Sequence, residues 1–375
     1  MEPAYLWIVA CFVLLFIGAR PMGRGKWNED VMSLDQTKAF LGFGAFVIVL
    51  HHCAQMTCAP WLNPFFIRHG LDAFLNVGYL IVAAFFFCSG YGLYVSAKKK
   101  PSFFKRFIPV RILPILIPTA ITMLVYVFFR YWRKIPFDID SPIAVNEHST
   151  WHPYIWYVPC MIFMYICFYI GFGLVKKEIP AILIVAGGSI AYCVYCHVFS
   201  FGTWWYNTVH LFLAGILWAK FQKKIFEHFK RFFILRVIGL LLITAACFFI
   251  SNNIWGMNFE YRLGLKEDTI NVIQYVTQWI SALLFPILCY QLGMKIRIGN
   301  RCLRFLGKFT LELYLVHGIF IHMFGYYMIK ERVKPVYYIS DVTLFTLTVL
   351  ACSIIPTILI GILDKKAAKL LRPKS

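Results

Sequence analysis

The chain has 375 residues, of which 60% are hydrophobic and only 14% are charged. Soluble domains carry about 25% charged residues, so this composition excludes a water-soluble fold. The net charge of +20 would suggest nucleic-acid binding in a soluble protein. Because cytoplasmic loops of membrane proteins also accumulate Lys and Arg, we expect membrane lipids as partners and no nucleic acid.

Apolar stretches of about 20 residues, the length needed to cross the hydrocarbon core of a bilayer, recur along the whole chain. They predict an all-α polytopic transmembrane helix bundle of about 11 helices. Residues 1–34 are interpreted as an N-terminal helix and loop, 35–364 as one membrane domain, and 365–375 as a basic cytoplasmic tail. The predicted spans are 4–19, 39–58, 73–96, 112–129, 152–174, 179–198, 203–219, 237–252, 270–294, 309–329 and 342–363.

Basic residues alternate between successive loops of the predicted bundle. Alternate loops, counted from the one after the first helix, together with the C-terminal tail hold 28 of the 37 Lys and Arg residues. The side richer in Lys and Arg faces the cytoplasm, so this pattern predicts a multi-pass protein of the cell membrane with its N-terminus outside and its C-terminus inside. The longest outer loops, at about 131–151 and 253–269, are large enough to shape an extracellular substrate mouth.

A pair of histidines lies in the second span. A charged side chain at the bilayer centre costs roughly 2.5 kcal/mol or more, so each ionisable residue there is a functional candidate. His51 and His52 follow an apolar run and are predicted to lie in the outer half of the membrane. A neutral imidazole can act as a general base towards a hydroxyl. The alternative is an interfacial histidine that is hydrogen-bonded to a neighbouring helix or to water.

The third span and the loop after it supply small and basic residues. Ser89, Gly90 and Gly92 stand among bulky residues, which allows close helix approach or a helix break. The loop that follows carries the densest positive patch of the chain. The preference of Lys and Arg for cytoplasmic loops would explain this patch by itself. The alternative is that some of its residues bind phosphate. The patch comprises Lys98, Lys99, Lys100, Lys105, Arg106 and Arg111.

The tenth span contains Glu312 and His317, five residues apart. At about 100° per residue they are separated by roughly 140° around a helix, so we expect each to find its partner on another helix. The alternative for Glu312 is a position near the cytoplasmic interface. Twelve Cys residues, most of them in apolar segments, imply no disulfide framework, no metal site and no covalently bound cofactor.

Three separated stretches carry a resemblance to a known family. From about Asp35 to the end of the last helix, the chain resembles the acyltransferase 3 family of membrane acyltransferases. The stretches are Asp35 to Lys38 followed by an apolar helix ending at His51-His52, Phe86 to Tyr91 followed by basic residues and a proline, and Gly307 to His317. The resemblance implies a ten-helix core, to which the first predicted helix is an addition.

The resemblance implies an activity and roles for residues. The family transfers an acyl group, commonly acetyl from cytosolic acetyl-coenzyme A, to a hydroxyl of a carbohydrate or lipid-linked glycan. His52, or else His51, is then the general base, and Arg106, Arg111 and Lys105 contact the acyl-CoA. Ser89, Tyr91, Glu312 and His317 are candidates for contacts with the substrate or the transition state.

One position departs from the family pattern, which places an Arg about three turns before the histidine. Leu41 occupies that position here, and Lys38, one turn nearer the cytoplasm, is the candidate substitute. The competing functions are a transporter or flippase of a glycolipid or glycan precursor, a member of the other large class of membrane O-acyltransferases, and a membrane sensor without turnover.

Overall fold

The computed structural model describes residues 3–62, 64–134, 151–258, 262–325 and 336–371. Within these residues the chain folds into twelve helices and one short antiparallel strand pair, β1 (Arg20–Pro21) with β2 (Ile296–Arg297). The helices are α1 (Pro3–Phe16), α2 (Leu34–Thr57), α3 (Gly78–Lys99), α4 (Leu113–Trp132), α5 (Tyr157–Phe168), α6 (Glu178–Val198), α7 (His210–Lys230), α8 (Phe233–Asn253), α9 (Glu267–Gly293), α10 (Arg301–Leu306), α11 (Thr310–Phe324) and α12 (Val342–Leu371).

Eight helical stretches of the described chain are long and apolar enough to cross a membrane, and two shorter apolar helices, Tyr5–Phe16 and Thr310–Phe324, accompany them. The prediction of an all-α multi-pass membrane bundle is therefore confirmed. Short π-helical segments, which are wider than α-helix, adjoin two of the spans, Ile108–Ile112 before α4 and Tyr169–Val175 after α5.

Some predicted boundaries were wrong. The span predicted at 203–219 begins instead at His210, because residues 203–209 form a short 3-10 turn and irregular chain, and the helix continues to Lys230. The second half of this helix is amphipathic, so a prediction based on long apolar stretches does not include it. Helix α12 likewise runs on to Leu371, through part of the predicted tail. Residues 135–150 of the long outer loop lie outside the described residues, as do 259–261 of the second one.

Loops with many basic residues meet at one end of the bundle, which we call the basic end. Strand β1 follows α1 and β2 follows α9, so their pairing joins two of these loops. Arg304 Nε lies 2.9 Å from Asp35 Oδ1, which joins the first turn of α2 to α10. Lys98 and Lys220 both contact the Glu178 carboxylate, at 3.4 and 3.9 Å. The fold thus collects at one end the loops whose Lys and Arg content predicted a common side.

Glycines allow the central helices to approach closely. A side chain at Gly90 would meet the Phe212 carbonyl oxygen, and one at Gly215 would meet the Phe87 carbonyl oxygen, so α3 and α7 pack backbone against backbone. The close approach expected at Ser89 to Gly92 is therefore present. In the same way, a side chain at Gly307 would meet the Lys38 carbonyl oxygen, so the turn before α11 is held against the first turns of α2.

Candidate active site

Helices α2 and α11 bring two histidines together inside the bundle. His52 Nδ1 lies 2.6 Å from His317 Nε2, and the two imidazole planes are inclined by only 2°. His52 is 7% exposed and His317 is fully buried. Sequence reasoning selected both residues and predicted that His317 needs a partner on another helix. The structure identifies that partner as His52, which we refer to with His317 as the histidine pair.

Backbone geometry determines the direction of the hydrogen bond within the histidine pair. His317 Nδ1 lies 2.9 Å from the Leu313 carbonyl oxygen, which can only accept, so His317 Nδ1 carries the hydrogen. A neutral imidazole carries one hydrogen and offers its other nitrogen as an acceptor. His317 Nε2 therefore accepts from the His52 Nδ1–H, and the basic lone pair of neutral His52 is on Nε2.

Tyr154, in the turn before α5, covers both imidazoles. Its ring stacks on His52 at 3.9 Å and on His317 at 5.1 Å between centroids, inclined by 12° in each case. The ring fits there because residue 318 is glycine, where any side chain would meet the tyrosine ring. The Tyr314 hydroxyl donates to the Tyr154 carbonyl oxygen at 2.8 Å. The turn is thus fastened to α11 directly over the histidine pair.

His152 fastens the same turn a second time. Its Nε2 lies 2.8 Å from the Leu315 carbonyl oxygen and must donate, while its Nδ1 accepts from the Tyr154 backbone N–H at 3.2 Å. Both ring nitrogens of neutral His152 therefore make hydrogen bonds, one as donor and one as acceptor. Sequence reasoning missed His152 and Tyr154. The only local signal was a His-Pro-Tyr run ahead of an apolar helix, and the contacts that give it meaning lie on α11, about 160 residues later.

His51 has a different environment from His52. Its Nδ1 donates to the Phe74 carbonyl oxygen at 3.0 Å, and its ring lies against the position where Gly78 lacks a side chain. The neighbouring rings of His51 and His52 are 5.1 Å apart between centroids. His51 thus connects α2 to the start of α3, whereas His52 faces α11.

The other candidates for substrate contacts lie away from the histidine pair. Ser89 hydrogen-bonds with Tyr165 of α5, and the Tyr91 hydroxyl donates to Gln222 Oε1 of α7 at 2.5 Å. On α3, Gly78 contacts His51, and Ser89 follows eleven residues later. Helical rise therefore places Ser89 about 16 Å from the level of His51, towards the basic end. Glu312, 9% exposed, lies against Gly361 of α12 and is not part of the histidine pair.

The candidate acyl-CoA residues lie at the basic end. Lys105 and Arg106 are exposed in the turn Phe104–Arg106. Arg111 is half-buried, donates from Nη2 to Ser96 Oγ at 3.2 Å, and lies over the Phe103 ring at 5.3 Å. Its buried Nε has no hydrogen-bond partner in the described part of the chain. Of these three candidates, Arg111 is the half-buried one and keeps an N–H donor without a partner among the described residues.

Lys38 is exposed in the first turns of α2. It is fourteen residues before His52 on the same helix, which corresponds to about 21 Å of helical rise. The structure therefore does not bring Lys38 close to the histidine pair. At Lys38 the contact of α2 is made by the backbone, whose carbonyl oxygen packs against Gly307.

A series of tyrosines connects the two regions. Tyr314 lies 6.2 Å from His52 and 5.6 Å from Tyr157 between ring centroids. Two turns along α5 from Tyr157, Tyr165 interacts with Ser89 and with the Arg111 guanidinium. Tyrosines of α5 and α11 thus lie at intervals between the level of the histidine pair and that of Arg111.

No group of three or more His, Cys, Asp or Glu side chains among the described residues is arranged to hold a metal ion. Cys193 and Cys196 pack in an aromatic cluster with Trp205 and Tyr206.

Comparison with known protein families matches residues 34–363 to the acyltransferase 3 family, described as an acyltransferase domain. Neither the curated proteins nor the solved structures contain a significant match. The family match leaves out α1 and includes the histidine pair, Arg111 and the spans from α2 almost to the end of α12. The chain belongs to the acyltransferase 3 family and is a membrane acyltransferase.

Proposed function

We propose that this protein transfers an acyl group, acetyl in the first instance, from acyl-CoA bound at the basic end to a hydroxyl of a carbohydrate or lipid-linked glycan. His52 is the general base. The observation that carries the proposal is the oriented hydrogen bond from His52 Nδ1 to His317 Nε2, which leaves the basic lone pair of His52 on Nε2. His51 is less suited, because its ring is bound to the loop before α3.

In the proposed reaction, His52 Nε2 removes the proton of the acceptor hydroxyl as the oxygen attacks the thioester carbonyl. The ring becomes an imidazolium, whose Nδ1–H bond to His317 Nε2 strengthens because the donor is now charged. Collapse of the tetrahedral intermediate breaks the carbon–sulfur bond. The coenzyme A thiolate leaves and takes the proton from His52 Nε2, which restores the neutral base. General-base catalysis of this kind contributes about 10²–10⁴-fold.

The separation of the two regions suits a long donor. Ser96, which binds Arg111, is eighteen residues from Gly78, which contacts His51, so about 27 Å of helical rise separates the two levels. An acyl-CoA has its phosphates at one end and its thioester at the end of a thin pantetheine arm. We propose that Arg111, Lys105 and Arg106 bind the phosphates, while the arm follows the tyrosines of α5 towards His52.

The orientation that accompanies this proposal places the basic end in the cytoplasm and the N-terminus outside, in the cell membrane. It is supported by the convergence of loops rich in Lys and Arg at one end of the bundle. Cytosolic acyl-CoA then reaches the cationic residues directly, and the acceptor enters from the opposite face.

The deciding experiment uses purified protein in proteoliposomes with labelled acetyl-coenzyme A and candidate glycans. We expect label transfer by the wild type, a loss of about 10²-fold or more in His52→Ala, and a smaller loss in His51→Ala. His228→Ala, an exposed histidine on α7, is the matched control and should keep wild-type activity. Undiminished transfer by His52→Ala would refute the base assignment. Glycan movement across the membrane without thioester consumption would support the transporter alternative.

A further inference from the structure

An apolar cavity of about 260 Å³ lies between α1, α2, α3 and α9. Its lining is almost entirely hydrocarbon and aromatic, and Cys88 of α3 and Cys289 of α9 belong to it. Towards the basic end it is bounded by Ile296 of β2 and by Ile298. The cavity does not include the histidine pair, and part of its wall comes from α1, which lies outside the family match.

The cavity has a side towards the membrane. Phe16 at the end of α1 and Leu292 near the end of α9 both line it, and their side chains are 43% and 41% exposed. Because these exposed apolar residues belong to membrane helices, the medium around them is lipid hydrocarbon. Water gains no hydrogen bonds from such a lining, so a hydrocarbon chain is the occupant that this chemistry favours.

Two cations lie on the strand pair that bounds the basic end of the cavity. Arg20 and Arg297 are directly opposite each other in the β1–β2 pair, and both are exposed. Like charges directly opposite on neighbouring strands destabilise a sheet, and neither guanidinium has a carboxylate partner in the described part of the chain. Ile296 and Ile298 line the cavity, so alternation along the chain directs Arg297 away from it.

We propose that this cavity binds one hydrocarbon chain of an anionic phospholipid, whose phosphate lies between Arg20 and Arg297. The chain fills the space beside Cys88 and Cys289, and the phosphate stays outside the apolar lining, at the level of the strand pair. Charge complementarity selects an anionic lipid, because a headgroup with net negative charge relieves the repulsion between the two opposed guanidiniums, whereas a zwitterionic headgroup also brings a cation to them. Helix α1 is then a wall of a lipid site, which gives this additional helix a role independent of acyl transfer.

Native mass spectrometry of the full chain, reconstituted with equal phosphatidylglycerol and phosphatidylcholine, tests the proposal. The wild type should retain one phosphatidylglycerol. Cys289→Phe places a ring in the middle of the cavity and should reduce that retention by about tenfold or more, because the chain loses its apolar contacts. Cys352→Phe, at a half-buried cysteine on α12 that does not line the cavity, is the matched control and should retain the lipid.

The headgroup is tested separately. The double variant Arg20→Gln, Arg297→Gln should keep a bound lipid but lose the preference for phosphatidylglycerol. A thermal melt separates loss of binding from misfolding: added phosphatidylglycerol should raise the melting temperature of the wild type and of His52→Ala, but not that of Cys289→Phe. Equal retention by Cys289→Phe and wild type, equal retention of both lipids by the wild type, or displacement of the lipid by stoichiometric long-chain acyl-CoA would each overturn the proposal.

Discussion

The histidine pair and the basic end are both polar sites in an apolar bundle, but different parts of the chain hold their side chains. At the histidine pair, the Leu313 backbone carbonyl orients His317, and the missing side chain at Gly318 makes room for the Tyr154 ring. At the basic end, side chains hold side chains, as in the contacts of Lys98 and Lys220 with Glu178.

The two regions should therefore respond differently to substitution. Backbone carbonyls on helices move little, so the histidine pair is preorganised, and a small misplacement of a catalytic group costs rate. Exposed ion pairs contribute only about 0–1 kcal/mol each, so the basic end should tolerate the loss of any one cation. We therefore expect large effects on kcat near His52 and modest effects on KM near Arg111.

The largest effect in this comparison, after removal of the base itself, is expected for His317→Leu. This change removes the acceptor of the His52 Nδ1–H and leaves a buried donor unsatisfied, so kcat should fall by about 10²-fold with little change in KM. His317→Gln offers an amide oxygen to the same donor and should recover a substantial part of the rate. Steady-state kinetics in proteoliposomes measure both variants. Equal rates for Leu and Gln at this position would show that hydrogen-bond acceptance by residue 317 is unimportant.

The second effect concerns the ring above the pair. Tyr154→Leu removes the stacked ring that faces the imidazolium formed at His52, and cation–π contacts of about 0.5–2 kcal/mol predict a fall in kcat of about tenfold. Tyr154→Phe keeps the stacked ring and the residue 154 carbonyl oxygen that Tyr314 contacts, so its loss of kcat should be smaller than that of Tyr154→Leu. If Phe and Leu at residue 154 gave the same loss, the stacking would have no role in turnover.

Sequence reasoning could find the histidines but could not pair them. His52 and His317 stand out because ionisable residues are rare in spans, yet 265 residues separate them. Only helix packing, set by Gly42 and Gly307 where α2 meets the turn before α11, brings them together. The His-Pro-Tyr run was too weak a signal to select Tyr154, because 18% of the chain is aromatic. An orientation could be predicted from the sequence because Lys and Arg counts are additive along the chain, whereas a site depends on contacts between distant segments.

The third effect tests the basic end. Arg111→Gln removes the half-buried guanidinium, so KM for acyl-CoA should rise by about tenfold while kcat changes less than threefold. Lys105→Gln, at an exposed site in the neighbouring turn, should change KM by about twofold or less. Titration of the donor at saturating acceptor measures both. A fall in kcat of Arg111→Gln as large as that of His317→Leu would contradict the division between the binding and catalytic regions.

The smallest effect is expected for Lys38, and it decides whether this residue replaces the Arg that the family pattern places at Leu41. Its exposed position, about 21 Å of helical rise from His52, predicts less than a twofold change in kcat and KM for Lys38→Ala. The matched variant Leu41→Arg restores the family residue, and Leu41 packs against the hydrophobic core. A loss of more than tenfold in Lys38→Ala, rescued by Leu41→Arg, would instead establish that a cation in this part of α2 takes part in turnover.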